Sequence, residues 1–218
     1  KEMHVDQGTA DEALNAQIDT IILDNSKKLS AIIDSILQAC ADKLDDALYE
    51  LETPSSAAMT ASTPEYVLSL IEKAQASSNE FTAVFSLFVE QQEVGGDHVN
   101  VIKSANQLAQ AMCDSLVNVK GILRFCKSEE AMDRLTSVAV DAGHILLRFF
   151  LNIQSYRLAG MTSQQRTNVA VQQNSQVSTA LGRLADSAQS LVGQRPSQLQ
   201  GGELSLIHIS EPTRRNPS

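Results

Sequence analysis

The sequence predicts an all-α protein, an up-and-down bundle of about five long amphipathic helices entered by the end of a coiled-coil or linker helix. Three observations carry that expectation. Apolar residues recur at helical spacing in five successive stretches. Only 10 Gly and 5 Pro, the residues that break helices, occur in 218 positions. The 43 % hydrophobic content is spent on Leu, Ile, Val and Ala, with 4 % aromatic residues and no Trp, and suffices for a packed core. No strand pattern competes before residue 200.

The first helix is read from Asp11 to Glu52, a run without Gly or Pro. Its stripe is Leu14, Ile18 and Ile22, then Leu29, Ile33, Ile36, Cys40, Leu44, Ala47 and Leu51. At 1.5 Å per residue such a helix is on the order of 60 Å long, more than one compact domain needs. Residues 1–24 are therefore expected to end an upstream coiled coil or linker helix. Residues 25–194 are expected to form the bundle, with Ile32, Leu37 and Leu48 widening the buried face. Pro54 stops the helix, because it disfavours helical geometry in the residue before it and breaks the hydrogen-bond ladder.

After the linker PSSAAMTAS, Thr63 caps helix two and Pro64 occupies its first position. The stripe Val67, Ile71, Ala74, Phe81, Phe85 and Phe88 runs toward Gln92, and Gly95 and Gly96 end it. Asp97 caps helix three, whose buried face reads Ile102, Ala105, Leu108, Met112, Leu116, Val119, Leu123 and Cys126. Ser128 caps helix four, with Glu129 and Glu130 at the positive end of its dipole. That helix carries Met132, Leu135, Val138, Ala142, Ile145, Phe149 and Ile153 and is expected to stop near Leu158. Thr162 and Gln165 form a capping-box pattern that opens helix five. Its stripe of Val169, Val177, Leu181, Leu184, Ala188 and Leu191 is the least apolar of the five. Short links between such segments predict mostly antiparallel neighbours.

Residues 195–218 are expected to be a disordered tail. Leu204 to Ile209 alternates as a short strand would, and 201–218 resembles translated sequencing-adapter read-through, so this stretch is set apart from the fold. The chain opens at Lys1, and a piece of a longer soluble protein is expected.

Composition narrows the function. A formal charge of −9 repels nucleic-acid phosphates and the anionic leaflet of membranes, so neither is expected as a direct partner. Cys40, Cys113 and Cys126 lie in apolar registers with no CxxC spacing, as reduced core thiols do. One Asp-x-x-His pair, Asp141 and His144, is all that approaches a carboxylate metal site, and it has no mate on another helix. No GxSxG, P-loop, HExxH or GxGxxG occurs, and no enzyme, metal or cofactor is expected. Two charge groups remain. Asp42, Asp45 and Asp46, with Glu50 and Glu52, cluster late in helix one, and Lys120, Arg124 and Lys127 line one side of helix three. Both are ordinary solvated faces or, alternatively, a docking surface for a partner helix or another part of the same protein.

The stretch Ile32 to Phe81, in which a helix ending in ALYELE is followed by a linker and TPEYVLSLIEKA, resembles the rod region of the fungal endocytic adaptor in the huntingtin-interacting-protein family. NVKGILRF, Asn118 to Phe125, is similar to the same region, and the resemblance spans roughly residues 25 to 194. It implies a place between a dimerising coiled coil that contacts clathrin light chain and a talin-like module that grips F-actin. Phosphoinositide binding would belong to a distant N-terminal ANTH domain. A non-catalytic spacer at cortical actin patches, or a helix-capturing interaction module, is the function so implied.

Overall fold

The structure, a computed structural model, describes residues 3–54, 61–91 and 96–196, with side chains from Gly8 onward. Among the described residues there are five α-helices, one short 3-10 turn and no strand: α1 (Met3–Glu52), α2 (Pro64–Glu90), α3 (His98–Ile122), α4 (Glu129–Asn152) and α5 (Ser163–Gln189). The caps are local chemistry. Thr63, Asp97, Ser128 and Thr162 each accept a backbone N–H of the first turn, from Tyr66, Asn100, Ala131 and Gln165 respectively. At Thr162 the box is complete, because the Gln165 side chain accepts from the Thr162 N–H in return. Gly160, at φ +79° in the α4–α5 turn, holds a left-handed conformation that other residues rarely adopt.

Packing is a ring rather than a sequence of neighbours. α1 lies against α3 and α4, α2 against α3 and α5, and α4 against α5, giving the order α1–α3–α2–α5–α4. Direction follows from the cross-helix bonds. On α1 and α3, Cys40 meets Asn106, Lys43 meets Gln110 and Thr53 meets Lys120, so both sequences ascend together. On α2 and α5, Gln75 meets Ser178 while Ser78 meets Asn174, which is antiparallel. Helices that alternate in direction close a five-membered ring only if one adjacent pair is parallel, and here that pair is α1 and α3. The expectation of mostly antiparallel neighbours thus has one necessary exception.

One core fills the ring. Leu37, Leu44 and Leu48 of α1, Leu108, Met112 and Leu116 of α3, and Leu146 of α4 are fully buried. Across the middle, Phe81 of α2 meets Phe149 and Phe150 of α4 edge-on, with centroids 5.7 Å away in both cases. Gly143 makes a notch for α1. A Cβ there would lie 2.5 Å from Leu48 Cδ2, so a glycine is what lets α4 approach so closely.

The structure corrects several element-level expectations. α1 begins before Asp11, at Met3. α4 ends at Asn152 rather than near Leu158. The cause is tertiary: Asp34 of α1 accepts from the backbone N–H and the hydroxyl of Ser155, and Gln154 donates to Gln38, so α1 draws these residues out of the helix. Ile32 is 50 % exposed, not core. Ala139, Leu146 and Phe150 take core places beside the expected Leu135, Ala142 and Phe149, while Val138 and Ile145 are only half-buried. α4 touches α1, α3 and α5, and its buried arc is correspondingly wide. The expectations for 201–218 lie outside the described residues.

Candidate functional site

The basic group divides in two. Lys120 Nζ donates to the carbonyls of Glu50 and Thr53 at 3.0 and 2.8 Å, capping the C-terminal end of α1 where unsatisfied carbonyls gather. One turn later, Arg124 Nη2 donates to the Ser62 carbonyl at 3.0 Å, and its guanidinium lies 5.0 Å from the Phe125 ring centroid. The Ser62 hydroxyl in turn donates to Asn118. These two cations therefore hold both ends of the α1–α2 linker onto α3, although α1 and α2 are not neighbours in the ring. Lys127 is exposed beyond the 3-10 turn.

The acidic residues stand apart from them. Asp42, Asp45 and Asp46 are exposed on α1, and Asp42 accepts from Gln38 of its own helix at 2.9 Å. Asp46 and Asp114 both bear on Cys113, which puts them along the α1–α3 seam roughly one to two turns short of Lys120. Lys120 thus serves the end of the helix that carries the acids, while of the three only Asp46 bears on the α1–α3 seam.

Two features went unread in the sequence. The first is a polar seam between α2 and α5. Ser78, fully buried, donates to Asn174 Oδ1 at 2.6 Å, Asn174 donates to Asn79 at 3.0 Å, and Gln75 donates to Ser178 at 2.7 Å. Its signal was present: Ser78 fills the gap between Ala74 and Phe81 in the apolar stripe of α2. Beside it, an open cleft of about 470 Å³ runs between α4 and α5, lined by Arg148, Asn152, Gln173, Gln176, Thr179 and Arg183 among others.

The second is the direction of the α1 arm. Described side chains from Gly8 to Asn25 are all exposed, including Leu14, Ile18, Ile21 and Ile22. At about 100° per residue, that stripe is centred roughly a quarter-turn around the helix from the face of Ile33, Leu37, Leu44 and Leu48 that enters the bundle. The arm's apolar face is therefore not part of the bundle's core. Ile32, exposed, lies in line with it.

Asp141 and His144 are exposed on α4. Among the described residues no three or more His, Cys, Asp or Glu are grouped as metal ligands. The three cysteines are free and buried. Burial lifts the Cys40 and Cys113 thiols to about 11, with Lys43 opposing the rise, and raises Cys126 as well. No described helix is long and apolar enough to cross a membrane.

The chain is similar to two fungal proteins. It is 26 % identical over 199 residues to the endocytosis protein end4 of Schizosaccharomyces pombe, covering 91 % of this chain and 18 % of that protein. It is 22 % identical over 185 residues to protein SLA2 of Saccharomyces cerevisiae, covering 84 % of this chain and 19 % of the other. The chain spans less than a fifth of the length of these curated relatives. No family model matches, and no solved structure matches.

Proposed function

From its homology to the fungal endocytic adaptors of the huntingtin-interacting-protein family, we propose that this segment is a non-catalytic, load-bearing spacer within such an adaptor. In this reading it lies between a dimerising coiled coil and an actin-binding module, so that clathrin-coated membrane and the actin cortex pull on it from opposite sides. Actin, clathrin light chain and phosphoinositides are contacted by flanking regions, and the bundle itself restrains the actin module in cis. Cytoplasmic cortical actin patches are its place of work. It needs no cofactor and binds neither nucleic acid nor membrane directly.

The observation that carries the reading is the 50-residue α1, about 75 Å of uninterrupted helix, of which the half outside the bundle delivers any upstream tension straight onto the core. The arm's separate apolar stripe supports residues 1–24 as the end of an upstream coiled coil or linker helix, the coiled coil making the protein a homodimer. Residues 25–194 are the spacer, and 195–218 lie beyond it. Asp42, Asp45, Asp46 and Lys127 are proposed as the accessible part of a partner surface. Lys120 and Arg124 contribute by tying Thr53 and Ser62 to α3.

Replacement tests the spacer. In the full-length adaptor, residues 25–194 are exchanged for an unrelated helical bundle of similar length and mechanical strength, and uptake of coated membrane is followed. Restored uptake is expected. Failure of the exchange, together with a partner lost on reversing Asp42, Asp45 and Asp46 to Lys, would favour the second reading, a helix-capturing module. The polar seating of α5 is what speaks for that alternative, since a helix held by replaceable hydrogen bonds is the one a partner helix can displace.

A further inference from the structure

We infer that tension along the chain loads this bundle in shear, and that α5 slides from its seat before α1 does. The inference rests on the load-bearing reading for its use in the cell, but its geometry belongs to the chain alone. α1, α3 and α5 run one way and α2 and α4 the other, as the cross-helix registers require. An odd number of alternating helices puts the start of α1 and the end of α5 at opposite ends of the bundle. Axial tension therefore draws α1 out by its N-terminus and α5 by its C-terminus, each parallel to its own seat. Neither is peeled turn by turn. The contacts along a sheared helix bear the load together, whereas a peeled helix presents one turn at a time.

The two seats differ in kind. α1 is held by Ile33, Leu37, Cys40, Leu44, Leu48 and Leu51, all buried, and is tied at both ends of its packed half, by Asp34 to Ser155 and through Lys120 to its C-terminal carbonyls. α5 buries three alanines, Ala170, Ala180 and Ala188, beside Val177, Leu181 and Leu184. Across from α2 it depends on the bonds of Asn174 and Ser178. Hydrogen bonds lose their energy within about 1 Å of displacement, and partly exposed ones are taken over by water. Apolar contacts persist through a comparable slide. The polar seam therefore gives way at the smaller extension, and α5 leaves first.

Optical tweezers on the whole chain test both parts. Handles are attached through short peptide tags in two arrangements. One pair, at Gly8 and Gln194, loads α5 along its axis. The other, at Lys127 and Gln194, grips the same end of the bundle and peels α5 sideways. The expected result is a first step of about 30 residues, on the order of 100 Å of extended chain, in both arrangements. It should occur at the higher force in the first. Equal forces would overturn the shear claim. For the order of release, Leu44→Ala should leave the first-step force unchanged, and Ser78→Ala with Asn174→Leu, which replaces two of the seam's three bonds with apolar contact, should raise it. A first step weakened by Leu44→Ala and indifferent to the seam change would overturn the order. Either failure leaves the replacement experiment free to succeed, so the two proposals fall separately.

Discussion

α1 and α5 occupy equivalent places, each the outermost helix in sequence and each flanked by two neighbours in the ring, yet they are seated by different chemistry. α1 sets branched aliphatic side chains against α3 and α4, and Leu48 enters a notch that only Gly143 leaves open. α5 meets α2 through small residues and amide–hydroxyl bonds, and a cleft separates part of it from α4. Burial of large apolar groups is worth about 25 cal/mol per Å². A neutral hydrogen bond contributes a net ~1 kcal/mol and only in its own register. The difference teaches that a bundle with one continuous core is not uniformly held: the same ring contains a helix fixed by volume and a helix fixed by register.

Four measurements sharpen or break that contrast. The largest effect is expected from truncating matched leucines, both fully buried: Leu44→Ala on α1 and Leu184→Ala on α5. Leu44→Ala should lower global stability by ~2–5 kcal/mol in urea unfolding. Leu184→Ala should act chiefly on α5, whose amides lose hydrogen-exchange protection while those of α1 and α3 keep theirs. Uniform loss across all helices in both variants would abolish the distinction.

Next comes pH. Cys40 and Cys113 line the α1–α3 seam, and their thiols are raised from 9.0 to about 11 by burial. Above pH 9 the unfolded chain ionises these thiols first, so stability that is intact below pH 9 falls as pH rises toward 11, by on the order of 2 kcal/mol per thiol. Replacing both by Ala should flatten that part of the pH profile. An unaltered slope would place the loss elsewhere.

Gly143→Ala should cost ~1–3 kcal/mol, because the added methyl overlaps a leucine in a closed core and outweighs the better helix propensity of Ala. A stabilised variant would mean that Leu48 has room to move and that the α1 seat is looser than described. The smallest effect is expected at Lys120→Met, about 1 kcal/mol by thermal melting, since the two carbonyls it releases lie near solvent at the end of α1. Added salt should change wild type and variant alike if the bonds, rather than long-range charge, are what Lys120 supplies.

Much of the fold was legible. The caps at Thr63, Asp97, Ser128 and Thr162 were read correctly because a cap is chosen by its own residue and the next three. On α2 all six expected stripe residues are buried, but Leu70, Val89 and the polar Ser78 and Thr82 are buried beside them, because the helix faces neighbours on two sides. α4 was read less well: Val138 and Ile145 were preferred over Ala139 and Leu146, because periodicity cannot say how many neighbours a helix will have. Its early end at Asn152 depends on Asp34, 121 residues upstream of Ser155, and no local pattern announces it. The candidate site fared similarly. Lys120, Arg124 and Lys127 look alike at spacings of four and three, but two of them are spent on carbonyls of other elements and one faces solvent.

By itself the sequence determined that this chain is helical, where α2 to α5 begin, and that α1 extends past the packed body, because propensity, capping and apolar periodicity act within a few residues of one another. Only the tertiary structure decided the ring order, the single parallel pair and which partners seat each terminal helix. Those follow from closing five faces around one core. Which face meets which depends on volumes and hydrogen-bond partners brought together from a hundred residues away.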